Sequence, residues 1–210
     1  MNRFKKYMTV VLFVYFCPFN IYAQDLKKPL IGCETAHLLD LYEGDNKLAN
    51  GFTDIDLKGL DGSNTAFDIA IGLNIEVPLN QKSSIVLSLV NGRMTSQNQN
   101  QYAKMDLETA GISYRRYFKG RFFYQLGMGI TAYESKRYFV RDNGLFSSIL
   151  GQSRNTSTAV GHSFEFGNHL QIVTMTDFRL IFSDAVDGYD NGQNYDIMLK
   201  TGISVMYRLN

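Results

Sequence analysis

An all-β fold, an eight-stranded antiparallel up-and-down barrel, is predicted from three observations. Long stretches alternate strictly with period two, most clearly Thr65 to Val77 and Tyr195 to Leu209, and only strands place successive side chains on opposite faces. Short turns and longer polar segments alternate between these stretches. After the N-terminal leader no segment approaches eighteen consecutive apolar residues, so the sequence contains no helical membrane span.

The leader itself reads as a cleaved export signal. Arg3, Lys5 and Lys6 precede the apolar run Met8 to Phe16, and Ala23 supplies a small residue before Gln24, where a signal peptidase would cut. Val14-Tyr15-Phe16, before Cys17, lacks the small residues of a lipoprotein signal. The expected division is a signal peptide over residues 1–23 and one outer-membrane β-barrel domain over 24–210. The full chain has a formal charge of +1, and losing three basic and no acidic side chains brings the mature chain to −2, so nucleic acid is not expected as a partner. Only Cys33 remains after cleavage, which leaves hydrogen bonds and packing to hold the fold. Cys33 with His37 and His169 forms no metal cluster, and Asp54 and Asp56 lack a full cation ligand set. No metal and no cofactor are expected.

Leu30 to Tyr42 is the first strand, with Ile31, Cys33, Thr35, Leu39 and Leu41 opposite Glu34, Ala36 and Asp40. Glu43 to Asn64, rich in glycine and aspartate, reads as a long loop. In the second strand, Thr65 to Val77, the residues Phe67, Ile69, Ile71, Leu73, Ile75 and Val77 oppose Ala66, Asp68, Ala70, Gly72, Asn74 and Glu76. Pro78 to Lys82 makes a turn into Ser83 to Thr95, and Ser96 to Gln101 is a short loop. The fourth strand, Tyr102 to Phe118, changes parity, because Met105 and Leu107 are odd while Ile112 and Tyr114 are even. A bulge near Thr109 to Gly111 would account for this. Lys119-Gly120 turns into a fifth strand from Phe122, followed by a predicted loop from Glu134 to Ser157. Thr158 to Phe166, the turn Gly167-Asn168-His169, Leu170 to Phe182, the loop Asp184 to Asn194 and Tyr195 to Leu209 complete the eight strands.

Pattern alone does not say which face points inward. Strands of roughly ten to sixteen residues suit a tilted membrane span, which needs about nine to eleven. The polar face mixes small residues with Asp68, Glu76, Glu165, Asp177, Arg179, Lys200 and Arg208, a set that can pair inside a narrow barrel. Aromatic residues gather near strand ends, with Tyr117, Phe118, Phe122, Phe166 and Tyr207 at the short-turn side. At the long-loop side stand Tyr42, Phe67, Tyr102, Tyr133, Phe182 and Tyr195, and two such belts match two membrane interfaces. The apolar face is therefore expected outside, making the barrel transmembrane. A secreted lipocalin-like carrier of an apolar ligand, with the apolar face inside, is the alternative.

The segment Phe182-Ser183-Asp184-Ala185-Val186-Asp187-Gly188-Tyr189, leading into a last strand that ends Met206-Tyr207-Arg208-Leu209, resembles the end of the OmpA-like β-barrel domains of Bacteroidota outer-membrane proteins. The resemblance implies a Gram-negative outer-membrane barrel at the cell surface. The chain departs from it in ending on Asn210 instead of an aromatic residue. No peptidoglycan-binding domain is expected after the barrel, so a cell-wall tethering role is not implied.

His162, Ser163 and Glu165 invite comparison with a lipid A-modifying hydrolase, the alternative activity. On a strand, however, His162 points away from Ser163 and Glu165, so the three do not make a nucleophile and base. The expectation is a non-enzymatic, monomeric outer-membrane barrel in contact with outer-membrane lipid. Its extracellular loops, chiefly Glu43 to Asn64 and Glu134 to Ser157, would meet a protein or glycan partner.

Overall fold

The computed structural model describes residues 28–40, 69–97, 101–139, 144–183 and 195–209. Eight strands follow in order: β1 (Leu30–Asp40), β2 (Ile69–Asn80), β3 (Ser83–Gln97), β4 (Gln101–Tyr117), β5 (Phe122–Phe139), β6 (Leu145–Phe166), β7 (Leu170–Ile181) and β8 (Asp196–Arg208). Each pairs antiparallel with its neighbour, and β1 pairs with β8 from Leu30↔Arg208 to Asp40↔Met198, closing the barrel. Closure gives each spanning strand a partner on both sides, which a sheet in hydrocarbon requires. The signal peptide, the loops 43–64 and 184–194, and Asp54, Asp56 and Asp68 lie outside the described residues.

The short turns are tight for local reasons. Pro78 lacks an N–H, and the β2–β3 register shifts between Pro78 and Asn80, so β2 runs to Asn80 and only Gln81 and Lys82 turn. The Asn80 carboxamide oxygen accepts the Lys82 N–H at 2.9 Å. Lys119–Arg121 forms a single 3-10 turn, with Arg121 at φ 66°. Gly167, at φ 61°, supplies the left-handed conformation of the β6–β7 turn.

The two faces are inverted relative to a water-soluble barrel. Leu73, Leu126, Met128, Val160, Ile203 and Val205 point outward and are exposed, while Glu34, Asn74, Glu76, Arg115, Asp177 and Lys200 are buried inside. Interior aromatics lie against glycine: Phe123 and Tyr133 face their register partners Gly161 and Gly151, and a Cβ at either glycine would strike the facing ring. Two apolar clusters fill the remaining interior. Leu38, Val90, Met105, Leu107, Ile181 and Met198 pack toward the long-loop end. Leu30, Phe123, Val173, Met175 and Met206 pack nearer the short turns.

Three expectations are corrected. β4 contains no bulge, since it pairs with β3 and β5 without a register shift. Its parity change is a change of surroundings: Met105 and Leu107 are 0% and 4% exposed and belong to the upper interior cluster, whereas Ile112 faces outward lower on the same strand. The predicted loop Glu134 to Ser157 is mostly a β-hairpin, with β5 continuing to Phe139 and β6 starting at Leu145. It hid because neither face reads as apolar: Gln152 and Arg154 are exposed outside, and the inward positions include the small or polar Ser135, Gly151 and Asn155. Tyr117 and Tyr133 also leave the aromatic belts, because both point inside and donate or share hydroxyl hydrogen bonds there.

Candidate functional site

Inside the barrel the charged residues form neutral sets. Lys200 on β8 donates to Glu34 on β1 at 2.5 Å, and the Asn74 carboxamide donates to the same carboxylate at 2.8 Å and to the Ser204 hydroxyl at 3.2 Å. Arg179 reaches Asp177 two residues away on β7 at 2.8 Å. Arg115 pairs with Glu76 at 2.6 Å, donates to Gln125 at 2.9 Å, and stacks over the Phe123 ring at 4.3 Å. Ser84 and Tyr117 each donate to Glu76 at 2.7 Å. At the short-turn mouth Glu165 takes Arg208 at 3.2 Å and Arg121 at 2.8 Å.

Of the charges singled out in the sequence, Glu76, Glu165, Asp177, Arg179, Lys200 and Arg208 thus point inward, and Asp68 lies outside the described residues. Two members were missed. Glu34 stood on the polar side of the least regular strand, and Arg115 shares the odd parity opposite Ile112 and Tyr114. With them, among the described residues, Glu34, Glu76, Glu165 and Asp177 match Arg115, Arg179, Lys200 and Arg208 in number. Burying a charge without a partner costs several kcal/mol, so this balance is a condition of the fold. The small cavities left between the side chains measure about 10 Å³ each.

His162 faces outward between the Phe122 and Phe164 rings, 4.5 and 4.3 Å from their centroids, while Ser163 is buried inside and Glu165 holds two arginines. The histidine and the serine therefore stand on opposite sides of the wall. Among the described residues no three His, Cys, Asp or Glu side chains gather where they could share a metal ion.

Above the apolar band the sheet changes character. Among the described residues β3, β4, β5 and β6 run for 15, 17, 18 and 22 residues, against 12 and 13 for β7 and β8, whose long-loop ends at Ile181 and Asp196 are followed and preceded by described non-strand residues. The four long strands project as one sheet. Its outer face carries ion pairs, Arg93 with Asp106 at 2.6 Å and Lys136 with Glu134 at 2.5 Å, with Leu150 exposed beside Glu134. The hydrogen bond to Glu134 holds the Lys136 ammonium above its ordinary pKa. Its inner face carries an apolar cluster, with Met105, Leu107 and Tyr133 buried and Ile149 packed against them, beside the buried Ser135.

An inward polar network, an outward apolar band and full closure define the class as an eight-stranded transmembrane β-barrel. No protein-family model matches the chain, and no curated protein matches it. Among solved structures the fold is similar to Neisserial surface protein A (NspA), with a TM-score of 0.52 and 10% sequence identity over 89% of this chain and 100% of that one. It is similar also to Ail, the attachment invasion locus protein of Yersinia pestis, with a TM-score of 0.50 and 8% identity over 89% and 100% of the two chains. Both are eight-stranded outer-membrane barrels, and at these identities the likeness is one of fold.

Proposed function

We propose that the protein is a non-enzymatic outer-membrane barrel that holds a protruding β-sheet at the cell surface for contact with a protein or glycan partner. The observation that carries this reading is that, among the described residues, β3 to β6 run well beyond β7 and β8 and rise above the band, while the barrel beneath is filled with paired charges and apolar side chains. A filled barrel supplies rigidity, and a sheet extended from it supplies a surface whose geometry the membrane cannot disturb. The names of the two structures of like fold, a surface protein and an attachment invasion locus protein, agree with such a role.

The test is an epitope tag placed within residues 140–143, stained on intact cells and followed through fractionation. The reading expects surface staining, recovery with outer membranes, and faster gel migration of the unheated protein, because a closed hydrogen-bonded ladder resists detergent. Shortening the β5–β6 hairpin should then abolish adhesion to immobilised glycans or proteins without disturbing assembly. Recovery in the soluble fraction, or a lipid A mass spectrum changed by the protein, would replace it with the carrier or hydrolase alternative.

A further inference from the structure

The short-turn end of the barrel opens into a bowl of about 470 Å³ with an unbalanced charge. Lys82, Arg116, Lys119, Arg121 and Arg208 line it, together with Glu76 and Glu165. Glu76 is already matched by the buried Arg115, and Glu165 is shared by Arg121 and Arg208. Lys82, Arg116 and Lys119 are exposed and make no ion pair with a described acidic residue. The two turns that carry the lysines are tied together, since the Tyr117 N–H donates to the Lys82 carbonyl at 2.7 Å. Arg121 is the one non-glycine residue with positive φ among those described, and that left-handed turn aims its guanidinium at the mouth. Such a conformation is sterically unfavourable for a residue with a Cβ and is held where the surroundings define it.

A second feature meets the bowl at Phe118. A shallow groove of about 970 Å³ runs up the outer wall from Phe118 and Phe122 across β6, β7, β8 and β1. Its floor is low because Thr35, Thr174, Thr176 and Thr201 stand where the rest of the band carries larger side chains. Phe118, which lines both bowl and groove, is exposed at the rim. A basic head site joined to a lipid-facing groove has the two-part chemistry of a phospholipid.

We propose that the bowl and groove together bind one anionic glycerophospholipid of the inner leaflet, its phosphate among Lys82, Arg116, Lys119 and Arg121 and an acyl chain along the threonine floor. A soluble phosphate ester would use only the bowl, and the continuity through Phe118 is what selects the lipid. The net positive bowl also disfavours a zwitterionic head group, whose cation would enter the same field. The inference depends on the transmembrane fold and is independent of any surface partner.

The test uses the purified full barrel in detergent, titrated with dioleoylphosphatidylglycerol and in parallel with dioleoylphosphatidylcholine, with bound lipid read by native mass spectrometry. Phosphatidylglycerol should be held about tenfold more tightly, the effect of one to two surface cations at roughly 1 kcal/mol each. Lys119→Gln with Arg116→Gln should remove that preference and leave phosphatidylcholine retention unchanged, while Lys119→Arg keeps it. Thr174→Phe with Thr201→Phe should weaken both lipids. The heat-dependent gel shift reports whether each variant is folded. Equal retention of the two lipids by the unaltered protein would overturn the proposal, as would a preference insensitive to Lys119→Gln with Arg116→Gln in a folded variant. Displacement of the lipid by sn-glycerol 3-phosphate at equal concentration would also overturn it, assigning the bowl to a soluble ester.

Discussion

Lys200 and Glu34 stand 166 positions apart in the chain and meet at 2.5 Å across the seam where the last strand joins the first. Both are almost fully buried. Lys200→Met should therefore destabilise the barrel by about 3–5 kcal/mol, because it leaves a buried carboxylate with only a neutral donor. The double variant Lys200→Met, Glu34→Gln should recover much of that loss. Urea unfolding in phospholipid vesicles measures both, and a single variant costing under about 1 kcal/mol would mean the pair is hydrated.

On the outer wall the cost of a charge should follow depth. Ile203→Arg and Leu126→Arg, at positions 49% and 54% exposed within the band, should each cost about 2–4 kcal/mol near the midplane. Tyr207→Arg, beside His169 at the short-turn end, should cost about 0–1 kcal/mol. The same vesicle titrations read this, and equal costs at the two depths would place the membrane elsewhere on the barrel.

The unbulged β4 makes a labelling prediction. In a Cys33→Ser background, Glu108→Cys should react with a membrane-impermeant maleimide on intact cells, and Leu107→Cys should not, since Leu107 packs inside and Glu108 faces out. A bulge at Thr109 to Gly111 would reverse the pair.

No large, stable conductance should appear in planar bilayers. The internal cavities of about 10 Å³ are separated by the two apolar clusters and the paired charges, and an eight-stranded barrel has room for little beyond its own side chains. Steady porin-like channels from the pure protein would contradict this filling.

Much of this fold could be read because lipid and water ask for opposite faces. In β2 and β8 the alternation is unbroken, so Leu73, Ile203 and Val205 could be set outside and Asn74 and Lys200 inside from the residues alone. The same reasoning failed on β4 and on the β5–β6 hairpin, where one strand crosses from lipid into water. Met105 and Ile112 are both apolar and both correctly buried from water, one by the barrel's own interior and one by lipid. Periodicity cannot separate these cases, so a change of medium looked like a bulge. Ion-pair partners were harder still. The sequence showed that inward charges exist, but the match of Lys200 to Glu34 and of Glu76 to Arg115 depends on register across strands far apart in the chain. The basic bowl was invisible for the same reason, since Lys82 and Lys119 belong to separate turns that only the closed sheet brings together.

The point on each long strand where the outer face turns from apolar to charged also acts as a waterline. Arg93, Asp106 and Glu134 share one cross-strand row, with Asn91 and Glu108 in the row beneath. Sinking the barrel by two residues would draw Asn91 and Glu108 into hydrocarbon and bring the charged row above them to the membrane edge, and charges on the lipid face cost progressively more with depth. Rising by as much would lift Leu89 and Ala110 into water. The chain thus carries its own draught mark, and the height at which the protruding sheet stands above the membrane is written into the amino acids rather than left to whatever it touches.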